Sequence, residues 1–133
     1  MADAQKIRPV YRNIHVSQIV AYRLPLAGIV SILHRISGAL MFLLMPFVIW
    51  LFDTSVTSEI SFARFSAALA NPLVKLAVLA LAWAYLHHLI AGVRHLWMDA
   101  THSVTKEHGR VSAIVTLGLS LLLTLVCAAF LFL

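Results

Sequence analysis

The side chains able to do chemistry fall in two short clusters, each inside an otherwise apolar stretch. Ser31, His34, Arg35 and Ser37 form the first; His87, His88, Arg94 and His95 form the second. At 100° per helical residue, Ser31, His34, Arg35 and Gly38 share an arc of about 100°. One helix face would then carry a hydroxyl, an imidazole, a guanidinium and a gap. In the second cluster, His88 and Gly92 stand at i, i+4, and Ala84 and Ala80 continue that line of small residues. His87 and His88 are adjacent and so about 100° apart, and the small-residue line selects His88 as the imidazole with open space beside it.

An imidazole nitrogen ligates iron, and guanidinium and imidazole groups answer carboxylates. The two clusters therefore suit a flat, anionic cofactor such as haem. A histidine that merely hydrogen-bonds to a neighbouring helix is the other reading, and residue types alone leave both open. Six-coordinate iron needs a second axial ligand. His34 is the other histidine at this level, but it stands beside Arg35 and suits propionates better, so a second subunit is expected to supply that ligand. Arg94 and His95 lie nearer the end of their stretch, where headgroup contact and a local pair with Asp99 are expected.

These clusters need elements to position them, and composition says of what kind. Apolar types make up 62% of the 133 residues and charged types 11%; the mean hydropathy is +0.94. Soluble domains carry about a quarter charged residues. So little charge excludes an ordinary soluble domain, a disordered tail and a secreted disulfide scaffold. The single cysteine, Cys127, has no partner for an internal disulfide and reads as an apolar filler. A net charge of +5 in so apolar a chain points to membrane orientation and anionic lipid, not to nucleic acid.

A bilayer core of about 30 Å takes roughly 20 apolar helical residues. Three stretches qualify, at about 24–52, 73–98 and 111–133, so the expectation is an all-α membrane protein, one membrane-anchor domain over 1–133. Pro25 marks the start of the first span, Asn71-Pro72 reads as an N-cap followed by proline at N1, and Gly109 stands before the third span. Residues 61–70 suggest a short interfacial helix, and Pro46 a kink in the first span. Ser112, Thr116, Ser120, Thr124 and Ala128 form a small-residue stripe suited to close helix packing, not to a site. The segment over 1–23 has neither the short basic start nor the cleavable apolar core of a secretory signal. Lys6, Arg8, Arg12 and Arg23 precede the first span, Arg64 and Lys75 border the first loop, and Lys106 and Arg110 lie in the second. That balance predicts a cytoplasmic N-terminus and an outer C-terminus, in a bacterial inner membrane.

The same residues carry a family likeness. Ser31-Ile32-Leu33-His34-Arg35-Ile36-Ser37-Gly38 resembles the S-x-x-H-R-x-[ST]-G signature of the cytochrome b membrane-anchor subunit of succinate dehydrogenase, the larger anchor of complex II. His88 through His95, followed by Asp99, is similar to the family's H-x-x-x-G-x-R-H signature and its later Asp. Arg8-Pro9 resembles its N-terminal Arg-Pro, although the stretch from there to Arg23-Leu24-Pro25 is longer than usual. The resemblance implies a hetero-oligomeric helix bundle: a second small anchor subunit shares one haem b with this chain, and an iron–sulfur subunit relays electrons from a flavoprotein. It implies His88 as the axial ligand of the haem iron, His34 and Arg35 as propionate contacts, Ser31 and Arg35 as quinone-binding residues with ubiquinone as substrate, and His95 at a position of unassigned role. A fumarate reductase anchor, running electrons the other way, fits the same motifs. A small transporter or channel subunit using Arg35 and His88 would be expected to show internal repeats or broken helices, and the sequence shows neither.

Overall fold

A computed structural model describes residues 15–102 and 105–133. The Arg8-Pro9 pair, Lys6 and Arg12 lie outside the described residues. Five helices follow one another: α1 (Val16–Ala21), α2 (Leu26–Thr57), α3 (Glu59–Leu69), α4 (Pro72–Thr101) and α5 (Lys106–Phe132), and there is no strand among the described residues. Of these, α2, α4 and α5 are long and apolar enough to cross a membrane. At 1.5 Å per residue the 30 residues of α4 span about 45 Å.

The helix ends have local causes. Asn71 caps α4, its side chain accepting the Leu73 amide at 2.9 Å, with proline at the first helical position. Between α2 and α4, Ser58 and Ser61 form a reciprocal capping box that starts α3 close to the expected interfacial helix. The first span runs past residue 52 to Thr57. Thr54, Ser55 and Thr57 return their hydroxyl protons to the carbonyls of Leu51, Phe52 and Asp53, so polar residues extend the helix without exposing unsatisfied groups to lipid. Pro46 lies inside α2, and the helix continues through it.

The third span differs from expectation at its start. Thr105 caps α5 by accepting the His108 amide at 3.2 Å, and Gly109 sits inside the helix, buried. A Cβ there would stand 3.9 Å from the Ala27 side chain, so this glycine is a packing position between α5 and α2, not a boundary. The helix α1 had no counterpart in the sequence reading; its start is held by the Gln18 side chain, which accepts the His15 amide at 3.0 Å.

The three long helices meet around Val30, Ala91 and Ala113, one residue from each, all fully buried. Small side chains let the backbones approach closely, which is how helices pack where lipid removes the hydrophobic drive. The stripe on α5 is buried at Thr116, Ser120 and Thr124, while Ser112 and Ala128 at its ends are half-buried. A strict four-residue spacing drifts by about 40° per step. The buried line accordingly shifts to Gly109 and Ala113 at the near end.

Candidate functional site

The polar cluster of α2 meets that of α4 at one level of the bundle. The rings of His34 and His88 stack with centroids 4.1 Å apart and planes inclined by 16°. His95, nearly two turns along α4, tilts toward His34 at 5.2 Å. Two glycines make this approach possible. A Cβ on Gly38 would stand 2.6 Å from His88 Cε1, and one on Gly92 would stand 3.5 Å from His34 Nε2. Each ring therefore lies over the bare backbone of the opposite helix.

The His88 ring is oriented by a backbone group that no sequence motif displays. Its Nδ1 lies 2.9 Å from the His34 carbonyl oxygen. A carbonyl only accepts, so Nδ1 carries the proton and Nε2 keeps its lone pair. Ser37 Oγ donates to the same carbonyl at 3.0 Å and lies 3.4 Å from His88 Nδ1. Among the described residues, His87 Nε2 is the one buried side-chain nitrogen or oxygen without a hydrogen-bond partner. The Nε2 of His88, which also has no hydrogen-bond partner there, consequently opens to the surface of the bundle.

His87 points elsewhere, as its angular offset requires. It is fully buried, with Nδ1 3.4 Å from Ser120 Oγ on α5 and the Trp83 ring stacked beside it at 5.3 Å. Ser120 gives its own proton to the Leu117 carbonyl at 3.1 Å, so its oxygen is free to accept from His87 Nδ1–H, and His87 Nε2 has no hydrogen-bond partner.

Ser31 and Arg35 lie on the rim of the same face. Arg35 Nη2 donates to Ser31 Oγ at 3.1 Å, and the Arg35 side chain is exposed. The Ser31 hydroxyl thus holds its oxygen toward the guanidinium and keeps its own proton to donate. The pair presents N–H and O–H donors together at the edge of the histidine stack, an arrangement suited to a carbonyl or carboxylate oxygen.

Arg94 corrects the expectation of a local pair with Asp99. Its side chain is buried, with Nε donating to Ser112 Oγ at 2.8 Å and Nη2 to the Gly109 carbonyl at 3.3 Å. Asp99 is exposed, and no ion pair joins the two. The physical reason is angular: Arg94 lies about 120° around α4 from His88 and so faces α5. Its planar fork finds acceptors there that a flexible ammonium would hold less well.

Among the described residues no group of histidine, cysteine, aspartate or glutamate has an arrangement that would hold a metal ion by itself. The described residues offer single imidazole nitrogens, not a closed coordination set. A haem that takes a single ligand from this chain would fit such a donor. The His88 tautomer is fixed by the His34 carbonyl, as metal-ligating histidines commonly require, and Nε2 is unengaged.

Comparison with known proteins identifies a family. The profile of the succinate dehydrogenase/fumarate reductase transmembrane subunit family matches residues 5–127. The chain is 40% identical over 96 residues to the succinate dehydrogenase cytochrome b556 subunit of Coxiella burnetii, covering 71% of this chain and 77% of that one. It is 33% identical over 114 residues to the subunit of the same name from Paracoccus denitrificans, covering 85% and 84%.

Proposed function

This chain belongs to the succinate dehydrogenase/fumarate reductase transmembrane subunit family, and we propose that within that complex it holds haem b through His88 and helps to bind the quinone through Ser31 and Arg35. Its membrane-anchor role follows from the family and from three apolar spans. The observation that carries the finer reading is the 2.9 Å contact from His88 Nδ1 to the His34 carbonyl. It leaves the second imidazole nitrogen free to serve as a ligand atom and orients the ring.

Haem b, when bound, supplies a one-electron redox centre in the low-dielectric bundle. The chain's own residues would hold and orient it: His88 as a ligand to the iron, and His34 and Arg35 at the propionates, with His95 tilted against His34. A second small anchor subunit would supply the other ligand to the iron and cover the exposed Arg35. An iron–sulfur subunit fed by a flavoprotein docks on the cytoplasmic side of a bacterial inner membrane, where the N-terminus lies.

The quinone is the substrate at the rim. Reduction adds two electrons and two protons, and negative charge grows on a carbonyl oxygen as electrons arrive. The Ser31 hydroxyl donates a hydrogen bond to that oxygen, and the Arg35 guanidinium stabilises the charge. Arg35 also fixes the Ser31 oxygen by donating to it at 3.1 Å, so the two act as a unit. Ubiquinone is the expected quinone. The family includes fumarate reductases, and the names of the two relatives favour succinate oxidation.

The test separates the quinone step from assembly. Arg35→Ala in the assembled complex should depress succinate–quinone activity while succinate oxidation by an upstream dye stays near wild type. Equal loss of both activities would refute the quinone assignment of Arg35.

A further inference from the structure

We propose that the groove between α4 and α5 beside Arg94 seats one anionic phospholipid, its phosphate on the guanidinium and an acyl chain along the apolar walls. The groove has a volume of about 470 Å³, within the range of small-ligand sites of roughly 300–1,000 Å³. Ile90, Val93 and Trp97 of α4 form one wall and Val111 and Val115 of α5 the other. On α4 those three residues lie about 140–180° around from His88, so this face is opposite the histidine stack.

Three observations select the occupant. The first is the free edge of Arg94. Nε and Nη2 are engaged by Ser112 and Gly109, while Nη1 has no hydrogen-bond partner among the described residues. Buried unpartnered polar atoms there are confined to His87 Nε2, so Arg94 Nη1 is not sealed from the surface, and Arg94 is one of the residues lining the groove. The second is charge. Arg94 and His108 line the groove and no carboxylate does; Glu107 and Asp99 are exposed and lie outside the lining. A cation without an internal counter-charge is complementary to a phosphate, and guanidinium–phosphate hydrogen bonds are among the strong ones.

The third is level. At about 45 Å, α4 exceeds a hydrocarbon core of about 30 Å by roughly 15 Å, or about 7 Å at each end when centred. Arg94 lies seven residues before Thr101, the last residue of α4, or roughly 10 Å from that end. The guanidinium is thus within a few ångströms of the boundary where phosphates begin. Trp97, 67% exposed, stands almost one turn further out, where indole rings gather at membrane interfaces.

The experiment uses the full complex, delipidated, equilibrated with mixed phosphatidylglycerol and phosphatidylcholine vesicles, and repurified. Co-purified lipid is then counted by mass spectrometry for wild type, Arg94→Lys, Arg94→Gln and Val115→Trp. Wild type should retain one phosphatidylglycerol per chain that Val115→Trp lacks. Arg94→Gln should weaken its retention by about tenfold, the loss of one charge-assisted contact, with Arg94→Lys intermediate. Excess inorganic phosphate should not displace it, because the acyl chain supplies part of the binding. Val115→Trp fills the groove without touching the hydrogen bonds of Arg94, so it decides the matter if Arg94→Gln fails to assemble. Equal retention in wild type and Val115→Trp would overturn the proposal. So would phosphatidylcholine held as well as phosphatidylglycerol, or a Val115→Trp complex that sheds a protein subunit with its lipid count unchanged.

Discussion

Gly38→Ala tests how closely the two clusters depend on each other. In a helix interior the change gains about 1 kcal/mol of intrinsic propensity. At this position the new methyl carbon would stand 2.6 Å from His88 Cε1 and 3.1 Å from Nδ1. Carbon atoms rest at about 3.5–4.0 Å, so the ring must retreat by about 1 Å. The His88 Nδ1 to His34 carbonyl distance of 2.9 Å would then open toward roughly 3.9 Å, past hydrogen-bonding range. A lost intramembrane hydrogen bond costs about 0.6–1.5 kcal/mol, and overpacking about 1–3 kcal/mol. Net of the propensity gain, the expected destabilisation is about 1–3 kcal/mol. Gly118→Ala is the control, because a Cβ there meets nothing within 4 Å. The assay is thermal stability of the assembled complex together with its reduced-minus-oxidised haem spectrum. Gly38→Ala should lower both stability and haem content while Gly118→Ala lowers neither. A Gly38→Ala complex as stable and as rich in haem as Gly118→Ala would refute the claim that the bare glycine backbone positions His88.

His87→Leu removes a buried imidazole whose Nε2 is unpaired, and an unsatisfied buried group carries a penalty of about 1–3 kcal/mol. The variant should be neutral to stabilising in thermal unfolding and keep its haem spectrum; loss of haem would mean that His87, not His88, is the ligand. Lys75 Nζ donates to the Leu131 carbonyl at 2.7 Å and lies 5.2 Å from the centroid of the Phe132 ring. Lys75→Met should therefore loosen the last turn of α5 by about 1 kcal/mol, seen as faster amide hydrogen exchange over residues 129–133, with activity unchanged. Exchange equal to wild type would contradict that anchoring role.

Much of this arrangement was legible in residue types and periodicity. The spans followed from hydropathy, Asn71-Pro72 from capping chemistry, and the divergence of His87 and His88 from the angle between neighbours. The α5 stripe followed from small residues recurring near helical spacing. What was not legible depended on partners supplied by other elements. The His34 carbonyl that orients His88 is backbone and leaves no residue signature. Arg94 looked free to pair with Asp99 because nothing in its own helix indicates that Ser112 and Gly109 come to meet it. Gly109 looked like a boundary because glycine serves at helix ends and at close helix contacts alike, and only the position of Ala27 decides between them. The common level of His34 and His88 was expected, but Gly38 and Gly92 read as open space for a flat cofactor, and the opposing histidine rings fill that space instead.

The central claim is that His88 ligates the haem through the nitrogen left free by the His34 carbonyl. It is tested most directly by a dithionite-reduced minus oxidised spectrum of the purified, assembled complex, comparing wild type with His88→Ala. Wild type should show a b-type signal that is lost in His88→Ala. An unchanged b-type spectrum in the assembled His88→Ala complex would contradict it.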